Sequence, residues 1–416
     1  MSAATTKPLL AVGAGIAGIT TALEAAEAGR EVVLVEREPA IGGRVLRNHH
    51  YFPKLCPPSC GMEINTGRLI RNPRIRLMTA TQVARAARTA GGWTVTLVRA
   101  PQYVNERCTF CGECSKVCPA KVKDAFNLGA TEVPAIRPYH AQAYPQRYVL
   151  DRAACPTGCT ACAAACSYGA IDLDARETQE TLDAGAVVLA TGWKPYPLDG
   201  LPELGGGRLA DVIANVSMER MVAPAGPTGG KILRPSDGAV PKKVAFVQCA
   251  GSRDVNHLPY CSAVCCLASL KQAIYVREQL PETEVKIFYI DRRAPGRNEA
   301  LLTRVAAMEG VRLVKGKVGK IEKGPGGSLS LRVEDVESGT LLAETADLVV
   351  LATGMVPQLG ADAQSFGIRR DDDGFGLNDA AARVFVAGVA RRPEDVASSV
   401  RDATGTAAKA IIAAGR

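Results

Sequence analysis

The 416-residue chain is poor in aromatics, 5% of the total, with only two Trp and four His. None of the four His sits in a nucleophile or metal-ligand spacing, so acid-base or nucleophilic catalysis through imidazole has little to draw on. His49, His50 and His257 read as local structural contacts. No apolar run approaches the ~20 residues needed to cross a bilayer; the stretches 186–190 and 348–352 are strand-length, which excludes a direct membrane span and leaves any membrane link to a partner. Residues 1–18 lack a basic segment followed by an apolar core and a cleavage site, so the expectation is a cytoplasmic chain. The basic stretch Arg68, Arg71, Arg74, Arg76, Arg85 and Arg88 has no nucleic-acid module or aromatic platform beside it, so nucleic acid is not an expected partner. A solvated face or an acidic protein partner accounts for it. Also missing is the second glycine fingerprint that a nicotinamide nucleotide would need.

Fourteen Cys are plentiful by contrast, in a chain long enough for two to three domains and carrying a formal charge of +8. Without export the thiols stay reduced, so clustered cysteines point to metal or redox chemistry before disulfides. Cys108, Cys111, Cys114 and Cys118 form C-x2-C-x2-C-x3-C followed by Pro119, the run that wraps a cubane iron-sulfur cluster in bacterial ferredoxins. Cys155, Cys159, Cys162 and Cys166 repeat it with one residue more and Ser167 in place of Pro. Each run follows a related phrase, Tyr103-Val104-Asn105-Glu106-Arg107 and Tyr148-Val149-Leu150-Asp151-Arg152, which implies a duplicated ferredoxin half. The fourth cysteine crosses over in two-cluster ferredoxins, giving Cys108, Cys111, Cys114 and Cys166 to one 4Fe-4S cluster and Cys155, Cys159, Cys162 and Cys118 to the other. Two zinc knuckles are the competing reading; zinc sites favour paired C-x2-C units.

The segment Leu9-Leu10-Ala11-Val12 followed by Gly13-Ala14-Gly15-Ile16-Ala17-Gly18 reads as strand, G-x-G-x-x-G and helix. A second strand, 31–36, ends in Glu36, placed to accept from a ribose hydroxyl, and Gly42-Gly43-Arg44 follows as in FAD-binding flavoproteins. Near copies at Ala190-Thr191-Gly192 and Ala352-Thr353-Gly354, then a strand ending at Gly388 and a closing helix over 399–414, are the joints of two nested dinucleotide-binding domains. Candidate FAD contacts are Gly13, Gly15, Ile16, Ala17, Gly18, Glu36, Arg37, Gly42, Gly43, Arg44, Lys54, Val83, Ala190, Thr191, Gly192, Thr353, Gly354, Gly388 and Val389. The final strand usually ends Gly-Asp in such flavoproteins, and here Val389 stands in the acid's place.

The nested domain should open with its own glycine fingerprint after the strand 243–248. Cys249 stands there instead, and Cys261, Cys265 and Cys266 stand where the phosphate-binding helix should begin, with Ser262 a candidate cap and Cys261 and Cys265 on one helical face. An NAD-type half has then exchanged a pyrophosphate for a third 4Fe-4S cluster, one anion at a helix N-terminus for another, which speaks against NADPH as direct donor. Four buried free thiols are the plainer alternative. Cys56 and Cys60, in C-P-P-S-C, remain open between spectator thiols, a redox role and ligation. Three clusters at about −2 each and a flavin pyrophosphate at about −2 would offset the +8.

The predicted class is α/β: two nested Rossmann-like, thioredoxin-reductase-like domains with an inserted two-cluster ferredoxin. Its segments are 1–103 (flavin domain), 104–176 (ferredoxin), 177–240 (flavin-domain return and linker), 241–354 (converted NAD-like domain) and 355–416 (flavin domain, last part).

These motifs, with Gly226-Pro227-Thr228-Gly229-Gly230 and Arg234-Pro235-Ser236-Asp237-Gly238, resemble the flavin-bearing A subunits of heterodisulfide reductases over nearly the whole chain. More narrowly, the stretch from Tyr51 to Gly61, Gly192-Trp193-Lys194-Pro195-Tyr196 and His257-Leu258-Pro259-Tyr260 resemble the A subunits of the quinone-interacting membrane-bound oxidoreductases (Qmo). That resemblance implies an FAD and iron-sulfur oxidoreductase component working with a membrane haem/quinone subunit plus a second flavin/iron-sulfur subunit, peripheral to the inner face of the cytoplasmic membrane. It also implies electron exchange between the quinone pool and adenylylsulfate reductase in dissimilatory sulfur metabolism, and a cluster close to the flavin held by Cys249, Cys261, Cys265 and Cys266. A heterodisulfide-reductase-type subunit in another thiol/disulfide or sulfur-oxidation complex, an NAD(P)H-dependent flavin/iron-sulfur dehydrogenase, and a ferredoxin-like carrier with a vestigial flavin half are the alternatives.

Overall fold

The computed structural model describes residues 7–415. Residues 1–6, where the segment read for an export signal begins, and Arg416 lie outside them. Two parallel sheets carry the chain. The first has the order Val384–Val386, Ala186–Leu189, Leu9–Val12, Val32–Val35 and Ile75–Met78, every neighbouring pair parallel. The first four of these strands are wholly buried, the continuous apolar signature of strands covered on both faces. Helix Ile16–Glu27 and the C-terminal helix Val396–Ala413 pack together on one face. The C-terminal helix starts three residues before the expected 399, because the Asp395 carboxylate accepts the Ser398 N–H at 2.7 Å and caps it there.

The ferredoxin insertion leaves from Gly92–Arg99 and returns on Thr178–Ala184, which pair antiparallel with Arg99 opposite Thr178. Exit and entry are therefore neighbours, and an isolated bridge from Val104 to Ile171 closes the base of the insertion.

The second sheet runs Val212–Ala214, Leu348–Thr353, Lys243–Ala250, Glu284–Tyr289, Val311–Lys323, Leu329–Asp335 and Leu341–Ala346; its first five strands are parallel and the last two antiparallel additions. The chain crosses into this half through Trp193–Pro195 and returns through Met355–Pro357, which pair as an antiparallel ribbon. Nesting is thus as predicted, but one boundary moves. The segment 177–240 is not all flavin-domain return and linker: Val212–Ala214 hydrogen-bonds to Leu348–Thr353 and helix Asn215–Met221 packs beside it, so the nested half begins at the ribbon and not at 241. A three-residue strand has too little periodicity to announce itself. Among the described residues no helix is long and apolar enough to cross a membrane.

Candidate functional site: a glycine cradle and three thiol groups

The glycines of the first turn are not equivalent. Gly13 has φ +98°, and a Cβ on it would lie 2.5 Å from the Ala190 carbonyl oxygen; one on Gly18 would lie 1.7 Å from the Gly13 carbonyl oxygen. Both are demanded by backbone packing. A Cβ on Gly15 would meet nothing nearer than the Gly43 Cα at 4.0 Å, so its bare face looks into open space at the start of helix Ile16–Glu27, where free N–H groups favour an anion.

Three side chains around this turn have the vacancies a dinucleotide would use. Glu36 is buried; its Oε2 accepts the Ala14 N–H at 2.6 Å and its Oε1 the Glu38 N–H at 2.9 Å. Each oxygen keeps one acceptor position for a ribose hydroxyl, and burial raises the carboxyl pKa. Arg44 stacks over Trp193 at 4.4 Å with no carboxylate partner among the described residues; burial, then the Arg47 charge, lowers it to about 10. The Thr191 hydroxyl is buried without any partner among the described residues. At the last strand, the Gly388 N–H donates to Asp402 at 2.9 Å, and Arg391 pairs with the same carboxylate. An acid from the C-terminal helix thus occupies the neighbourhood that Val389 cannot serve. These features fit FAD.

Other predicted flavin contacts lie elsewhere. Val83 is a core residue whose N–H is taken by Asp362 at 3.0 Å. Lys54 and Arg37 are exposed. Thr353 and Gly354 sit at the head of the second sheet; the Cys265 Sγ lies 3.8 Å from the Thr353 carbonyl oxygen, and a Cβ on Gly354 would strike Leu258 and Ser262.

In the insertion, Cys108, Cys111, Cys114 and Cys166 line one cavity together with Tyr148 and Tyr168, the crossover that the spacing predicts. Cys162 feels Cys155 and Cys118, the complementary set. Burial first, then Cys108 and Cys111, pushes the Cys114 thiol to about 11, so ionisation here needs a cationic cluster core as compensation. Among the described residues no such side chains converge tightly enough for a single metal ion. They ring a cavity instead, and a many-atom cluster fits that arrangement.

The third group is assembled from strand Lys243–Ala250, the loop behind it and helix Cys265–Gln279. Cys249, Cys261, Cys265 and Cys266 line a cavity with Arg253, Asp291 and Arg293. Burial is the main cause raising the Cys249 thiol to about 11 and the Cys265 thiol well above its ordinary value. Two local expectations are corrected. Ser262 is not the helix cap: Val264 holds that position, and the Ser262 hydroxyl accepts the Met355 N–H at 2.9 Å and meets Ser252 at 3.1 Å. Cys261 lies outside the helix, because Ala263 at φ +63° turns the chain just before it.

Sequence reasoning misses a buried ion pair of the nested half that clasps the flavin half. Lys271 and Glu219 pair at 3.0 Å; Glu219 accepts the His49 N–H and Lys271 donates to the His50 carbonyl. A Lys nearly two turns into a predicted helix, beside Leu270 of its apolar stripe, is the only available signal.

The NAD(P)-binding Rossmann-like domain family matches residues 12–73 and the 4Fe-4S binding domain family residues 101–123. In Methanothermobacter marburgensis, the A subunit of H(2):CoB-CoM heterodisulfide,ferredoxin reductase is 34% identical over 97% of the chain and 63% of its own length. In Methanocaldococcus jannaschii, the iron-sulfur A subunit of CoB–CoM heterodisulfide reductase is 36% identical over 98% and 64%. Both of these similar proteins are A subunits of heterodisulfide reductases. The chain spans somewhat less than two thirds of the length of these relatives. Thioredoxin reductases of T. acidophilum and Lactococcus lactis share the fold, with TM-scores of 0.52 at 14% and 13% identity; the first is covered over 97% of both chains, the second over 98% of this chain and 99% of its own.

Proposed function

We propose that the chain is an electron-transfer subunit holding one FAD in the glycine cradle and three 4Fe-4S clusters on the twelve cysteines of its three groups. The observation that carries this is the third cavity, whose Cys265 touches Thr353 two residues before the ribbon that returns the chain to the flavin half. When bound, the flavin exchanges electrons in pairs and the clusters singly. The protein's own residues do the remaining work. The helix start at Gly15 and the Arg44 guanidinium bind the diphosphate, and Glu36 orients the ribose. The ferredoxin fold sets Cys114 and Cys162 on adjacent, contacting short helices, where each would hold one of the two clusters. Burial excludes water from Cys265 and Cys266.

The finer reading is a Qmo-type role: relay between adenylylsulfate reductase and the quinone pool, the latter reached through a membrane haem subunit with a second flavin/iron-sulfur subunit. Its support is the segment 51–61 together with Trp193 and the loop 257–260, and the peripheral cytoplasmic location goes with it. Direct reduction by NAD(P)H is disfavoured because thiols occupy the place of the second pyrophosphate loop. Anaerobic purification with flavin and iron quantification tests the cofactor set: one FAD with three clusters' worth of iron is expected, and iron for two clusters would overturn it. Affinity capture from a sulfate-reducing host, returning the quinone-side subunits or not, decides the finer role.

A further inference from the structure

The cavities of the first and third cysteine groups differ in charge. The first is lined by Thr109, Glu113 and two tyrosines beside its thiols, with no cationic side chain. The third is lined by two guanidiniums, Arg253 and Arg293, and one carboxylate, Asp291. Asp291 bridges the two, accepting from Arg253 at 2.7 Å and from Arg293 at 3.3 Å. Both arginines line the cavity beside the four thiols, the Arg253 charge acting on Cys249 and the Arg293 charge on Cys261 and Cys266. Three of the four thiols therefore feel a guanidinium of this pair.

Backbone strain singles out one of them. Arg253 has φ +57°, a left-handed conformation that is strained for a residue with a side chain and that glycine adopts freely. Its main-chain hydrogen bond runs from its own N–H to the Tyr260 carbonyl, which glycine would supply equally well. What glycine would not supply is the guanidinium aimed at Asp291 and Cys249.

Resting on the cofactor reading above, we propose that Arg253 and Arg293, balanced by Asp291, set the reduction potential of the third centre and make it the electron trap beside the flavin joint. Adding an electron to an anionic cluster is favoured by fixed positive charge and by donors to its sulfurs. Two guanidiniums against one carboxylate leave the lining of the third cavity net positive, whereas the single acid of the first, Glu113, is neutralised by Lys116 at 2.7 Å, so the third centre is the one whose lining favours an added electron.

The test is an EPR-monitored redox titration of the anaerobically purified holoprotein and three variants. Arg253→Gln and Arg293→Gln should each lower the potential of one centre, with about a tenfold fall in its reduced-to-oxidised ratio at fixed poise, ~59 mV for one electron. Asp291→Asn should shift the same centre the opposite way, and the two ferredoxin centres should not move in any variant. Should an arginine variant lose the centre, Asp291→Asn decides: a rise supports the proposal, and no shift or a fall overturns it. Iron for only two clusters in the wild type would instead sink the cofactor reading. Three centres with unmoved potentials would sink this inference alone.

Discussion

At the first strand-to-helix turn of the flavin half stand Gly13, Gly15 and Gly18; around the corresponding turn of the nested half stand Cys249, Cys261 and Cys265. The topology is shared, a parallel strand running into a helix whose N-terminus points at the crevice, and so is the electrostatic offer of free N–H groups to an anion. What differs is where the specificity comes from. The first turn removes side chains so that a diphosphate can approach the backbone. The second adds side chains that would bond the guest covalently, and spends left-handed conformations at Cys249, Arg253 and Ala263 to aim them. The same scaffold position can thus be emptied or armed.

The largest test of that contrast is Gly18→Val. Its Cβ would sit 1.7 Å from a carbonyl oxygen, so the expected outcome is no folded protein, read as loss of soluble expression and of the cooperative melt. Gly15→Val separates cradle from packing: the apoprotein should melt normally while bound flavin absorbance disappears, since the side chain has room only where the diphosphate would lie. On the nested side, Cys265→Ala should cost about a third of the iron while FAD stays bound, with metal analysis and flavin absorbance run on one sample. Lys271→Met probes what joins the halves. The pair is 4% and 5% exposed, and stranding Glu219 without its cation should destabilise by ~3–5 kcal/mol in a denaturant titration.

The smallest effect is pH dependence. Burial holds His49, beside His50, and His140, beside Arg220 and Arg47, down to about 4. The unfolded chain binds a proton on each near pH 6.5 and the folded chain does not. Stability is therefore full above about 6.5 and falls as pH drops towards 4, by roughly 1–2 kcal/mol per imidazole after allowing for partial exposure. A thermal melt series that stays flat across this window would contradict both assignments.

Much of the fold and site is legible in the residues. Cysteine spacing carries the crossover in the insertion because three ligands on one short loop leave one corner of a cube to a cysteine of the other run, and the match of Cys166 with Cys108, Cys111 and Cys114 follows. The cysteine-for-glycine exchange is legible for a related reason: the strand before it and the helix after it are long and apolar. What stays hidden is contact between segments far apart in sequence. Asp362 reaching the Val83 N–H crosses 279 positions, and Asp402 reaching Gly388 comes from a helix whose pattern speaks only of its buried face. Val212–Ala214 falls to the wrong half in the sequence reading because three residues cannot display a period. Ser262 looks like a cap, yet its hydroxyl is claimed by Met355 from the returning ribbon.

The clasp of Lys271 and Glu219 has a consequence for alignment. Both charges are out of water, and each is satisfied by a main-chain group of the other half, the His50 carbonyl and the His49 N–H. Such a pair adds little adhesive strength, since separating the halves would rehydrate it. Its leverage lies in partial slippage: a shift of one residue between the halves would strip both buried charges of their main-chain partners, His49 and His50, while leaving them dry. The clasp works as a vernier, tolerating one setting of the two halves and penalising every nearby one, so that the distance between the glycine cradle and the third cysteine cavity is held constant.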